Sequence, residues 1–140
     1  MLHHKLPASG MDFGSGTGSP LPMMLQSQGF NVKVFDPLFS PDHKLLHKKY
    51  DFITCTEVVE HMRTPGQDIL TMWNLIKLGG SLYIKTQFRL PEYDFGQWAY
   101  MRDLTHVCFY SKKTMYWLAT FLSANLLLPG SNITILSKKK

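Results

Sequence analysis

Only two cysteines, Cys55 and Cys108, stand among the 140 residues. Both lie in apolar runs, where a thiol behaves as a small hydrophobe, and two are too few for the disulfide framework of a secreted scaffold. A reducing compartment follows. No run approaches the roughly 18 consecutive apolar residues of a membrane-spanning helix, and the N-terminal region lacks a charged start, an apolar stretch and a small-residue cleavage site in that order. The expectation is a cytoplasmic protein without a membrane partner, in which the sequon Asn132-Ile133-Thr134 carries no weight. Acidic residues are few, 10 against 15 Lys plus Arg, for a formal charge of +5. That excess is scattered over Lys48-Lys49, Lys112-Lys113 and the tail Lys138-Lys139-Lys140, which reads as a solvated end. No basic face interleaved with aromatics emerges, so nucleic acid is not an expected partner. Repeats and low-complexity linkers are lacking too, which excludes solenoids and arrays.

What is present fits one globular domain over residues 1–140: 44% hydrophobic, 18% charged, 10 Gly and 8 Pro. A chain of this length buries about two-thirds of its unfolded surface, enough for one core. Gly10 to Phe13 reads as a short strand running into the turn Gly14-Ser15-Gly16-Thr17-Gly18. Ser19 is placed to cap a helix whose first turn tolerates Pro20 and Pro22, ending at Gly29. Val32 to Phe35 forms a second strand closed by Asp36-Pro37. A short helix over Pro41 to Lys48, capped by Ser40, fits the next gap. Tyr50 to Val58 is a third strand, apolar on both faces as in a covered parallel sheet. Thr64-Pro65 opens a helix with Ile69, Leu70, Trp73 and Ile76 on one face, stopped by Gly79-Gly80. Ser81 to Phe88 is a fourth strand. A helix from Ser111 to about Asn125 buries Met115, Leu118, Ala119 and Leu122, and Leu126 to Leu128 with Ile133 to Leu136 close a hairpin. Strands alternating with helices predict an α/β fold with about six strands, mostly parallel, and a C-terminal antiparallel hairpin. Ligands in such sheets bind beyond the carboxyl ends of the strands.

The glycine turn falls there. Alternating glycines allow positive φ and close approach of the backbone to a ligand. The third glycine comes one residue earlier than in the dinucleotide fingerprint G-x-G-x-x-G, and Asp12 adds a negative charge that suits an ammonium or sulfonium group better than a pyrophosphate. Asp36 ends the next strand, where a carboxylate can accept from two ribose hydroxyls, although an acid before proline also serves as a plain turn residue.

Asp12 to Gly18, Asp36, the segment Tyr50 to His61 and Gly79-Gly80, in that order, resemble the class I S-adenosylmethionine-dependent methyltransferases. Tyr100 to Ser111 is similar to a bacterial subgroup acting on small molecules. The resemblance implies a Rossmann-like class I methyltransferase fold, with S-adenosyl-L-methionine as cofactor and a small-molecule acceptor methylated at oxygen or nitrogen. It implies that Asp12, Gly14 and Gly16 contact the methionine part of the cofactor, that Ser15 and Gly18 also bind the cofactor, that Asp36 binds its ribose, and that Thr56 and Glu57 lie near the sulfonium. A metal is not implied. Only residues 37–49 separate Asp36 from the third strand. This leaves no room for the extra strand and helix that supply adenine contacts elsewhere, and Pro37, Leu38 and Phe39 are the nearest substitutes. Only Met1 to Ser9 precede the first strand, so an N-terminal cap is not expected. Closure of the site falls to Phe88 to Tyr110 or to a second subunit in a homodimer.

His106 lies in the substrate-facing segment and is the candidate catalytic base; the alternative is a histidine that fixes its loop through Asp103 or a backbone carbonyl. His61 is read as an ordering partner for Glu57. His43 and His47, spaced i and i+4, read as part of a solvated basic helix in the absence of a third metal ligand. His3 and His4 read as an exposed end. Phe88, Tyr93, Phe95, Trp98 and Tyr100 suggest a lid over a flat or apolar acceptor. Two other functions stay open: a methyltransferase-like binding or interaction protein without turnover, and a nicotinamide dinucleotide oxidoreductase.

Overall fold

The computed structural model describes residues 4–92 and 94–140, so the expectations for His3 and Tyr93 lie outside the described residues. Strands β1 (Ser9–Phe13), β2 (Asn31–Phe35), β3 (Tyr50–Thr56), β4 (Ile76–Lys85), β5 (Asn125–Leu127) and β6 (Ile133–Ser137) form one sheet in the order β2-β1-β3-β4-β6-β5. The first four are parallel, and β6 runs antiparallel between β4 and its own hairpin partner β5. The expected α/β sheet with a closing hairpin is what the chain forms. Helices are α1 (Leu21–Ser27), α2 (Pro65–Leu75) and α3 (Lys112–Phe121).

The central strand explains the layering. Along β3, Ile53 and Cys55 join Met11, Leu82 and Ile84 in a core covered by Met72 and Trp73 of α2 and Met115 and Leu118 of α3. Phe52 belongs to a smaller cluster with Val32 and Leu25 of α1. Period-two alternation therefore sends neighbouring residues to opposite faces, each covered by helix, so the strand is apolar throughout. The helix α3 starts where Ser111 and Thr114 cap one another, side chain to backbone in both directions, satisfying two amides that would otherwise lack partners.

Four local expectations need correction. Ser19 does not cap α1, whose first turn follows Pro20 without a side-chain cap. Pro41 to Lys48 forms only a 3₁₀ turn, His43–His47, initiated by Asp42 accepting from the Lys44 amide at 3.1 Å; Ser40 instead bridges to Asp36. The helix α2 stops at Leu75, four residues before Gly79, because buried Ile76 already pairs with Tyr50 of β3. Gly79, at φ +75°, then sits where the β3–β4 register shifts. Finally, the basic tail is not simply solvated. Lys138 Nζ donates to the carbonyls of Trp73 and Ile76 at 2.9 and 3.2 Å and lies 5.1 Å from the Trp73 ring, a cation placed at the carbonyl end of α2.

His4 also departs from expectation: its ring stacks on Phe52 at 5.5 Å. Among the described residues, no helix is long and apolar enough to cross a membrane.

Candidate functional site

The carboxyl ends of β1, β2 and β3 open onto a cleft of ≈ 590 Å³. One wall is built from backbone. Gly14 leaves β1 at φ +76° and donates its amide to the Phe35 carbonyl of β2 at 2.8 Å. A Cβ here would come within 2.5 Å of Val58, so only glycine fits. Gly16, at φ +60°, has open space where a side chain would be, and its amide donates to Asp36 Oδ2 at 2.8 Å. The amides of Leu38 and Phe39 donate to Asp36 Oδ1 at 2.8 and 3.0 Å. Burial alone would push the Asp36 carboxyl up; the amides of Leu38, Gly16 and Phe39 outweigh it and hold the group below its ordinary value. Asp36 thus builds its own turn at the end of the second strand, one of the two readings the sequence allowed. Leu38 and Phe39 stand beside it at 80% and 60% exposure, an apolar lip on the cleft.

The other wall is built from side chains. Glu57, in the left-handed region at φ +53°, turns the chain out of β3 into a 3₁₀ turn, Val59–His61. Its carboxylate receives the Tyr100 hydroxyl at 3.1 Å and lies 3.7 Å from Lys85 Nζ. Glu60 is fully buried; Thr86 Oγ1 donates to its Oε2 at 3.1 Å, and the Tyr100 hydroxyl donates to its Oε1. Burial first, then the neighbouring Glu60, push the Glu57 carboxyl up, against the Tyr100 hydroxyl and Lys85. The backbone carbonyl of Glu60 accepts from Val107 and Cys108 at 2.8 and 3.0 Å. The segment Phe88 to Tyr110 is pinned at both ends by a bridge between those residues, with the Arg89 backbone amide donating to the Tyr110 carbonyl at 2.7 Å. It is a looped excursion with two 3₁₀ turns, Phe95–Gln97 and Ala99–Arg102, as its proline and glycine suggested.

The expected site residues divide. Gly14, Gly16, Asp36 and Glu57 line the cleft; Ser15 and Gly18 belong to the same turn without lining it. Asp12 is buried on β1 and accepts from Thr54 Oγ1 at 2.6 Å and from Ser19; burial raises its carboxyl, and those two hydrogen bonds pull it down. Thr56 faces a second cavity of ≈ 410 Å³, shared with Thr54, Tyr83 and Lys85. The imidazole in the cleft wall is His61, not His106. His106 Nδ1 donates to the Tyr100 carbonyl at 2.6 Å, and its ring lies 4.0 Å from that of Tyr100 and 4.8 Å from that of His61. His61 Nδ1 donates to the Thr105 carbonyl at 3.0 Å, so its partner is this loop and not Glu57. Sequence reasoning gave no role to Glu60 or Thr86, and placed Tyr100 in an aromatic lid without its bonds to Glu57 and Glu60. The available signal was a glutamate inside the apolar run Val58-Val59-Glu60, which is costly to bury without partners.

A glycine turn bonded to the acid that ends the second strand, at the carboxyl edge of a parallel sheet, defines an α/β domain built for a nucleoside-bearing ligand. The family described as "Methyltransferase domain" matches residues 1–121. The chain belongs to that family. A curated relative, the ubiquinone biosynthesis O-methyltransferase of Saccharophagus degradans, is 30% identical over 87 residues, covering 60% of this chain and 36% of that protein. Among solved structures, an O-methyltransferase family protein from Burkholderia thailandensis superposes with a TM-score of 0.68 at 13% identity, over 95% of this chain and 51% of that one. The Burkholderia thailandensis 1,6-didemethyltoxoflavin-N1-methyltransferase, solved with 1,6-didemethyltoxoflavin and S-adenosylhomocysteine, gives 0.67 at 12% identity, over 96% and 72%. The chain therefore spans about a third of the curated relative it matches and about half of the first of these structures.

Proposed function

We propose that this chain binds S-adenosylmethionine and supports transfer of its methyl group to an oxygen or nitrogen of a small-molecule acceptor. The observation that carries the reading is the Gly16 amide bonded to Asp36 at 2.8 Å beside an open stretch of backbone. Such a cradle accepts close approach of a ligand, and a carboxylate whose Oδ atoms are oriented by amides keeps lone pairs for ribose hydroxyls. Leu38 and Phe39 supply apolar surface for an adenine ring. Asp12, Ser15, Gly18 and Thr56 are assigned to the methionine side as electrostatic and shape support. The geometry favours Gly14, Gly16, Asp36 and Glu57, which share the cleft, as the direct contacts.

When bound, S-adenosylmethionine supplies a methyl group on a positive sulfur, which departs as a neutral thioether. An attacking hydroxyl forms the new carbon–oxygen bond as the carbon–sulfur bond breaks, and sheds its proton. His106 is the proposed base through Nε2, because Nδ1 is committed to the Tyr100 carbonyl. Aromatic side chains at 95, 98, 100 and 109 supply an apolar wall for the acceptor, with ring centroids of Phe95 and Phe109 5.1 Å apart. Incubation with methyl-labelled S-adenosylmethionine and a panel of phenols, catechols and amines tests the proposal. Label in product that disappears in Asp36→Ala supports it. Tight cofactor binding with no product across the panel would favour the alternative of a binding protein without turnover.

A further inference from the structure

The helix α3 fills the core with one face and presents a second apolar face outward. Met115, Leu118, Ala119 and Leu122 are buried in the main cluster, whereas Tyr116, Trp117 and Phe121 are 62%, 62% and 56% exposed. Trp117 and Phe121, one turn apart, stack with ring centroids 5.2 Å apart and planes 8° from parallel. The result is a flat aromatic plate, ordered before any partner arrives. Single exposed apolar side chains need no explanation, but three large rings on one helix face mark a contact surface, because Trp and Tyr carry much of the binding energy where proteins meet.

The charges of α3 indicate what the plate faces. Lys112 and Lys113 occupy its first turn, where free backbone amides already concentrate positive potential, and no acid stands there to offset them. Its last turn carries no basic residue to meet the carbonyl end. Among the described residues, neither lysine forms an ion pair. The side chains are thus charged the wrong way round for an isolated helix, and a fitting partner brings negative potential to the lysines and positive charge to the carbonyl end. A second α3 laid antiparallel does both.

We propose that this face joins two copies of the chain in a twofold dimer, α3 against α3, with Trp117 at its centre. Lys113 and Phe121 are equally far from Trp117 along the helix, so the axis sets Lys113 against the partner's Phe121, a cation over a ring at the partner's carbonyl end. The lysines of the two copies then stand roughly 12 Å apart, beyond the screening distance at physiological salt. A parallel pair would instead crowd four lysines and two amino ends together. At the observed exposure the three rings bury roughly 300–400 Å² per copy, about half of a standard interface. The dimer is accordingly weak and concentration-dependent. None of the residues lining the cleft belongs to α3, so the inference is independent of the methyl-transfer reading. Pairing would nevertheless brace the root of the Phe88 to Tyr110 excursion, which ends directly before the cap Ser111.

Sedimentation equilibrium of the whole chain, without cofactor, tests the dimer over a range of roughly 1–500 μM. The apparent mass should rise from the 16.1 kDa monomer towards twice that value, with half-association at roughly 10–100 μM, as a small interface allows. Trp117→Ala, at an exposed position, should weaken association about 10-fold or more. Lys113→Glu should weaken it too, by setting an acid against the partner's carbonyl end, yet raise the melting temperature of the monomer, because an acid suits the first turn of its own helix. A purely structural lysine would not separate those two readouts, and if Trp117→Ala fails to fold, Lys113→Glu decides. A chain that stays monomeric throughout overturns the proposal, as does a dimer that both variants leave unchanged. A monomer that sediments with vesicles containing phosphatidylglycerol, and not with phosphatidylcholine alone, assigns the face to an anionic membrane and overturns it as well.

Discussion

The two walls of the cleft are made by opposite means. The wall formed by the tips of β1 and β2 is backbone: two glycines at positive φ, three amides on one aspartate and a short apolar lip. The wall beyond β3 is side chain: Glu57 and His61 face the cleft, backed by Glu60, Thr86 and Tyr100, drawn together from segments some forty residues apart by bonds such as Tyr100 to Glu57. Their acids respond in opposite directions, Asp36 held below its ordinary range by amides and Glu57 pushed above it by burial and Glu60. The first wall is finished without a ligand. The second depends on bonds between distant segments, and that difference separates a local backbone cradle from a side-chain network assembled by the fold.

The sharpest way to break this contrast is within the glycine turn. Gly14→Ala places a methyl group within 2.5 Å of Val58 at φ +76° and should cost about 1–3 kcal/mol from backbone conformation alone, with the clash added. Gly18→Ala meets nothing within 4 Å and should stay within about 0.5 kcal/mol. Urea unfolding of both variants checks the pair; equal losses would mean that the turn is not held by Gly14. On the other wall, Glu60→Ala leaves Tyr100 and Thr86 without their buried acceptor and should cost about 1–3 kcal/mol. A variant as stable as the parent would mean that removing the surplus charge offsets the lost bonds.

The smallest expected effect is in pH, and it has opposite signs on the two walls. Asp36 has a lowered folded-state value, so the stability it contributes is complete above the unfolded carboxylate range and is lost as pH falls through the folded value. Asp36→Asn should therefore destabilise more at pH 7 than near pH 3. Glu57 has a raised value, so its contribution declines as pH rises above the unfolded range and is fully lost above the folded value. Glu57→Gln should be less costly at pH 7 than near pH 4. Chemical unfolding at these pH values reads both, and a common direction would contradict the opposed environments.

The same contrast explains what could be read from the sequence. The backbone wall is local: Gly14, Gly16 and Asp36 fall at the ends of recognisable strands, so their spacing announced them. Period-two apolar runs likewise gave the sheet, and Ser111 the start of α3. The side-chain wall is non-local. Nothing near Glu60 in sequence indicates that Tyr100 and Thr86 will satisfy it, or that His61 and not His106 will face the cleft. The missed boundary of α2 has a related cause. Gly79-Gly80 looks like a helix stop, whereas pairing of Ile76 with Tyr50, a contact across the chain, ends the helix four residues earlier. Motif order likewise gave no sign of the hydrogen bond from Thr54 to Asp12 or of the second cavity that Thr56 lines.

The central claim, that the backbone wall is a cofactor cradle, is tested most directly by calorimetric binding of S-adenosylmethionine, its demethylated product and NAD to the chain and to Asp36→Ala. The account predicts saturable one-to-one binding of the first two, at least about 10-fold weaker in the variant, and none with NAD. Binding of S-adenosylmethionine that is equal in parent and variant, or absent from a folded parent that binds NAD, would contradict it.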